Sequence, residues 1–442
     1  MLENIFRQSK IHFLDRENTN LILFLSGKSI SLFGSSIYAF VIGLYLLKTT
    51  GSGLTFAVNL ILYTLPAVII NPFAGVLADR LNKKLLVAGS DFLNGLFLTL
   101  IYFYTLKHSL TVNLLYTSTF VMTSLTVFFD IAAESAKPDL VREENLVRIN
   151  SLARVIESTS FIAGPLFGGV IYVIFNTEVF ILLNAVSFTA AAVIEYFIDY
   201  NFNHTETDLK DNPKSGQIDK KNKILSDFFL KFKEGYKYIF NDRYLKSLVF
   251  IFISLNFFFN FTIIVPLPYL LNNIWDISSL FYGIIQGAFP VGMILGAVMT
   301  DRILNMISYS RLLKRIIFLT GGGVLLFVLP LILFSAAPGE LFVLVYYSIL
   351  MFLCGVSVAW IDIPANVLIQ KIVPKKILGR VISVKFSLIK IIVPLSLLIS
   401  GYLINYLSPI FLIGSGALIF IVFNFMFFAS DLGKDFLSKT VK

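Results

Sequence analysis

Charge is scarce in this chain. Only 14% of its 442 residues are Asp, Glu, Lys or Arg, against about 25% in an average soluble domain. A water-soluble body of this size could not cover its outside with so little polar surface, which excludes a soluble multidomain protein. Histidine is nearly absent, and His12, His108 and His204 are too dispersed to form a metal site. One cysteine, Cys354, permits no intrachain disulfide and lies in an apolar run, as a core residue would. No Gly-x4-Gly-Lys-Ser/Thr loop or other nucleotide signature occurs, so an ATP-driven machine built from this chain alone is excluded. No metal, no cofactor and no catalytic constellation is expected.

Apolar residues are what the chain has in abundance. They make up 57% of it, with 45 phenylalanines and a mean hydropathy of +0.81. A membrane helix needs about 20 mostly apolar residues. Twelve such runs occur, near 21–47, 54–78, 85–106, 111–130, 152–175, 179–198, 246–270, 279–300, 315–335, 341–361, 382–404 and 409–430. The expected fold is therefore an all-α integral membrane protein with twelve transmembrane helices in two six-helix bundles. The first 20 residues are polar and mixed in charge, unlike a cleaved signal peptide. With the N-terminus inside, cytoplasmic segments, counting Lys246 and Arg315 at the cytoplasmic edges of their spans, carry 30 of the Lys and Arg residues. External loops carry two, Lys48 and Lys107, and four fall inside spans. That asymmetry fits the positive-inside rule and predicts two cytoplasmic termini in the cell inner membrane. It also accounts for the net charge of +9 without nucleic acid as a partner.

Three segments follow: an N-terminal bundle over 1–198, a cytoplasmic linker over 199–245, and a C-terminal bundle with its tail over 246–442. The linker opens with a polar, charged stretch. Its second part sets Ile224, Leu225, Phe228, Phe229, Phe232, Ile239 and Phe240 at helical spacing. This predicts an amphipathic helix at the cytoplasmic interface, the alternative being an extension of span seven. The halves repeat at an offset of 232 residues. Asp130-Ile131 matches Asp362-Ile363, Ala133 matches Ala365, Val141 matches Val373, Leu146 matches Leu378, Arg148 matches Arg380 and Ser151 matches Ser383. Each set is expected at the loop leaving the fourth helix of a half and entering the fifth. Parallel repeats of this kind favour a central cavity opening alternately to each side.

These residues resemble the major facilitator superfamily, and more narrowly its macrolide-efflux and siderophore-export branch. Gly75 through Asp79-Arg80 to the basic pair Lys83-Lys84 resembles the signature between helices two and three, with Asn82 in place of a glycine. The resemblance implies a cytoplasmic gate in which Asp79 latches onto helix eleven, with Arg380 as partner; a solvated turn is the alternative. Gly296 to Asp301-Arg302 is a degraded second copy. Gly164-Pro165 with Gly168-Gly169 resembles the antiporter motif of helix five, a thin, bent helix packed closely on others. Gln370-Lys371, Pro374 and Gly379-Arg380 resemble the branch's loop between helices ten and eleven, and Pro138 to Arg142 with Asn150-Ser151 its counterpart after helix four.

The function this implies is secondary active export of a small amphipathic molecule by a monomer in the lipid bilayer, driven by a proton or sodium gradient. Export or flipping of a lipid or envelope precursor is the alternative. Relatives often carry an acid early in helix one, where this chain has Ser31-Leu-Phe-Gly34-Ser35. Asp91 in helix three and Glu157 in helix five then remain as coupling residues. Arg154 stands one turn before Glu157 and can pair with it, whereas Asp91 has no charge within a turn. Lys28, Lys385 and Lys390 are further intramembrane charges, Lys390 the one nearest mid-bilayer. Asp130, Glu134, Glu195 and Asp199 are expected near the cytoplasmic surface. Tyr38, Asn59, Asn94, Asn256, Asn260 and Gln286 are expected to line a substrate cavity among aromatic walls, or else to bond between helices.

Overall fold

The computed structural model describes residues 2–80, 82–203, 232–334 and 338–438, with side chains from Arg16 onward except at 71–80, 301, 305 and 375–376. No strand occurs among the described residues, and twelve of their helices are long and apolar enough to cross a membrane. The first six are α1 (Leu2–Thr50), α2 (Gly53–Arg80), α3 (Lys83–Thr105), α4 (Val112–Leu140), α5 (Leu146–Ile174) and α6 (Thr177–Tyr196). The others are α7 (Arg243–Phe259), α8 (Ser279–Met306), α9 (Tyr309–Leu326), α10 (Glu340–Ile372), α11 (Lys375–Leu403) and α12 (Pro409–Ala429), followed by a short α13 (Asp431–Ser438). In a bilayer the backbone must satisfy itself, which long helices do.

Polar loop residues start these helices. The side chains of Asn82, Thr111, Asn176, Asp242, Ser278 and Ser408 accept hydrogen bonds from the first free N–H groups of α3, α4, α6, α7, α8 and α12. Asn82, the departure from the family's glycine, is thus a helix cap. Beyond Phe259, α7 continues to Ile274 through two wide turns, Asn260–Ile264 and Leu270–Ile274, around Pro266 and Pro268. Each proline removes a backbone donor and forces that local re-registration.

By packing, the chain forms two units. One comprises Met1–Tyr45 and Leu62–Gly216, the other Leu46–Ile61 and Gln217–Lys442. In the first, glycines let helices meet at backbone distance. A Cβ on Gly164 of α5 would lie 2.9 Å from the Ser36 carbonyl oxygen of α1, and one on Gly95 of α3 would lie 3.0 Å from the Ala185 oxygen of α6. The core beside these contacts is built from Phe24, Phe129, Ala132, Ala136 and Leu140. In the second unit, α8 and α10 pack along their length. Added Cβ atoms on Gly292 and Gly355 would collide with the carbonyl oxygens of Phe352 and Phe289. Cys354 is buried there as a core residue.

One expectation needs correction. The repeat segments 130–151 and 362–383 take in the expected loops, 141–145 and 373–374, but Asp130 and Asp362 do not lie in them. Both sit inside helices, because α4 runs to Leu140 and α10 to Ile372. The helices outlast their apolar runs because the polar side chains along them find partners: Lys137 Nζ donates to Glu134 (2.6 Å) and to Asn150 (3.0 Å). Glu195 stands in the last turn of α6, where the sequence places it, and is buried there, 1% exposed. Within the linker, residues 232–241 form a helix whose Ile239 enters the core of the second unit and which ends before the α7 cap, Asp242. The expected amphipathic stretch at 224–231 lies outside the described residues.

Candidate functional site

Buried charge in the first unit concentrates on one face of α1. Gly27 and Ser31 are four residues apart and so share that face. Ser31 Oγ donates to Asp91 Oδ1 of α3 at 3.0 Å. One turn away, the Glu195 side chain of α6 lies so close to Gly27 that an added Cβ would stand 2.6 Å from its Cγ. Only glycine leaves room for that carboxyl group. Asp91 is 0% exposed. The second oxygen of Asp91, both oxygens of Glu195 and both polar atoms of Asn94 have no hydrogen-bond partner among the described residues. The Tyr200 hydroxyl, just past α6, is also without one. Asp91 interacts electrostatically with Glu195 and Asp130.

Next to this pair stands a compensated one. Lys28, 2% exposed, donates to Glu157 Oε1 at 2.8 Å, and Arg154 donates to Glu157 Oε2 at 2.9 Å. The pairing of Arg154 with Glu157, expected from spacing, is present, and Lys28 adds a buried third member. Lys28 also acts electrostatically on Asp130. Chemically the two acids differ. Glu157 is bonded by two cations. Asp91 and Glu195 hold none, and two ionised carboxylates in one dry site repel each other. Such a pair is suited to taking up and releasing a proton.

The remaining expected residues divide as follows. The backbones of Gly75, Asp79 and Arg80 belong to α2, and their side chains lie outside the described residues. Lys83 Nζ bridges to Asp139 Oδ2 (2.6 Å) and the Ser135 oxygen (2.9 Å) on α4, and Lys84 lies 4.1 Å over the Tyr196 ring. Arg380 pairs with Glu234 of the 232–241 helix. Gly164, Gly168 and Gly169 are buried around Pro165 in α5. Tyr38 is buried and its hydroxyl hydrogen-bonds Ser118 Oγ at 2.6 Å, while Asn94 sits one turn along α3 from Asp91. In the second unit Asn59 is fully buried. Asn260 Nδ2 donates to the Asn256 oxygen and Gln286 Nε2 to the Tyr282 hydroxyl, at 2.7 and 3.1 Å. Lys390 is exposed, and Lys385 is the buried lysine of α11 at 2%. Glu195 was missed because its burial depends on Gly27, 168 positions earlier, and nothing local marks that contact. Among the described residues no group of three His, Cys, Asp or Glu could hold a metal ion.

Similarity to known proteins agrees with this architecture. The model of the Major Facilitator Superfamily matches residues 24–390. Macrolide efflux protein A of Streptococcus pyogenes is 23% identical over 379 residues, covering 85% of this chain and 87% of that protein. An MFS-type transporter of Bacillus subtilis, YkuC, is 24% identical over 378 residues, covering 84% and 82%. Among solved structures, a bacterial homologue of the iron transporter ferroportin aligns with a TM-score of 0.67 at 16% identity, covering 96% of this chain and 99% of that one. The nucleoside transporter NupG aligns at 0.62 and 14% identity, covering 95% and 98%. Twelve spanning helices and a family match over most of the length make the chain a member of the major facilitator superfamily, a multi-pass membrane protein with the secondary-transport function of that fold.

Proposed function

We propose that this protein is a proton-driven exporter of small amphipathic compounds, of drug, macrolide-like or siderophore-like character. It works by alternating access in the cytoplasmic membrane, with both termini inside. The observation that carries the coupling is Asp91, a buried carboxyl group with one oxygen on Ser31 and the other without a partner. It provides a titrating acid one helix away from the α1 position where this sequence has Ser35. Glu157, satisfied by Lys28 and Arg154, serves as a brace. Export is supported by the macrolide-efflux relatives and orientation by the 30-to-2 distribution of basic residues. The cytoplasmic gating segment Gly75, Asp79, Arg80, Lys83 and Lys84 belongs to the same reading: Asp79→Asn is expected to shift conformational populations away from the state with the cytoplasmic side closed.

The test is energised uptake into inverted membrane vesicles across a ligand panel. Accumulation of macrolides or amphipathic cations supports the reading. Scrambling of labelled lipid without uptake of any panel compound overturns it. Orientation has its own check: a cysteine introduced at residue 216 must resist impermeant reagents on intact cells, and labelling from outside would refute it.

A further inference from the structure

The second unit contains a half-open cavity of about 200 Å³ lined by α7 and its extension, α8, α9, α10 and α12. Five aromatic rings, Phe252, Phe258, Phe259, Phe289 and Phe420, form much of its wall, and Asp362 of α10 is its one acidic residue. The Phe289 backbone is fixed where α8 meets Gly355. An apolar cavity of about 150 Å³ holds a benzene ring, so this one accepts a ring with a small substituent.

Three of the polar side chains around the cavity bond to their own helices. Asn256 Nδ2 donates to the Phe252 oxygen (2.9 Å), Thr262 Oγ1 to the Phe258 oxygen (2.7 Å) and Ser357 Oγ to the Leu353 oxygen (2.9 Å). The two hydroxyls keep acceptor lone pairs, Asn256 keeps its oxygen and one N–H, and the Thr320 hydroxyl, also in the wall, has no partner among the described residues. Asp362 adds a carboxylate. Lys385, the cation whose field reaches Asp362, forms no ion pair with it. Its Nζ instead donates to Asn366 Oδ1 at 2.8 Å and lies 4.2 Å over the Phe252 ring. An aromatic wall attracts cations through its ring faces. The ring faces and the Asp362 carboxylate favour a positive ligand over an anion, and the remaining hydroxyls and amide can bond to its polar substituents.

We propose that this cavity within the C-terminal bundle binds an organic monocation bearing one ring-sized apolar group, with Asp362 as its counter-ion. This narrows the amphipathic substrate class named above and rests on that reading for its physiological meaning, though not for the binding itself. The site is built inside one six-helix unit, by helices on several sides of Asp362, and needs no residue of the other unit.

The experiment is equilibrium binding of labelled phenyltrimethylammonium to the purified full-length protein in detergent, with benzenesulfonate as an anionic competitor of similar size. Saturable binding that benzenesulfonate does not displace is expected. Asp362→Asn should weaken it by at least about tenfold, the loss of one charged partner. Asp362→Glu, which keeps the charge, should retain most of it, and Phe289→Ala should weaken it by removing a ring. Lys107→Gln, an exposed position in the other unit, should leave it unchanged. No saturable binding to the wild type, equal binding by Asp362→Asn with wild-type thermal stability, or full competition by benzenesulfonate overturns the proposal. If vesicles accumulate neutral amphiphiles while Asp362→Asn binds the cation normally, this inference fails and the export reading stands. If Asp362-dependent binding is found without uptake of any compound, the site stands and the export reading fails.

Discussion

The Lys28–Glu157–Arg154 cluster predicts an asymmetry between two neutralising substitutions. Lys28 has a side chain 3% exposed, whereas Glu157 is 31% and Arg154 80% exposed. Removing the glutamate charge strands a buried ammonium. Removing the lysine leaves Glu157 its second partner and partial solvent. Breaking a buried pair by deleting one member costs about 3–5 kcal/mol. Glu157→Gln retains an amide oxygen for Lys28 to donate to, so about 2–3 kcal/mol is expected. Lys28→Met should cost only about 1 kcal/mol, chiefly through Asp130, which loses the field of that ammonium. Replacing both members of a buried pair with neutral groups is often nearly neutral. The double variant should therefore be more stable than Glu157→Gln alone, a coupling of about 2 kcal/mol. Thermal unfolding of the four purified proteins in one detergent measures the ranking: wild type, then the double variant and Lys28→Met, then Glu157→Gln. A double variant as unstable as the sum of its parts would show that Lys28 and Glu157 do not depend on each other, and Glu157 would return as a coupling residue.

Other outcomes follow from the same geometry. Gly164→Ala places a Cβ 2.9 Å from backbone of α1 and should cost about 1–3 kcal/mol, an overpacking penalty. Gly168→Ala meets the Phe40 side chain, Cδ1 at 2.6 Å, rather than backbone, and should cost less; melting midpoints distinguish them. Glu17, 3% exposed, accepts from the Arg142 N–H and from Asn145 Nδ2, both at 2.8 Å. Glu17→Ala should destabilise by about 1–3 kcal/mol through those unsatisfied donors, and loosen the loop between α4 and α5 to limited proteolysis.

The fold is legible in the sequence because a bilayer imposes one dominant requirement. About 20 apolar residues per crossing produce twelve runs, and all twelve correspond to helices. Helix ends were less legible. Hydropathy stops where the hydrocarbon does, but α4 and α10 continue for roughly ten residues more, since Lys137, Glu134, Asn150 and Asn366 satisfy one another or their neighbours. The coupling acids divide by the reach of their contacts. Arg154 and Glu157 are one turn apart and could be paired on spacing alone. Lys28 with Glu157, or Glu195 with Gly27, are contacts between distant helices that no local pattern encodes. Lys390 drew attention by its depth along α11, yet burial depends on which face of a helix a residue occupies, and Lys385 has the inner face. Of the asparagines and glutamine expected around a cavity, Asn256 lines the one in the second unit. Asn260 and Gln286 bond to residues one turn earlier on their own helix, rather than to another helix, the alternative that sequence left open.

The claim that Asp91 exchanges the driving proton is tested most directly by comparing energised and downhill transport in wild-type and Asp91→Asn inverted vesicles. A pH gradient, acid inside, is imposed, and uptake of an amphipathic cation is followed with and without it. Asp91→Asn is expected to lose accumulation against the gradient while counterflow exchange of the same compound continues at the wild-type rate. Full gradient-driven accumulation by Asp91→Asn would contradict the account.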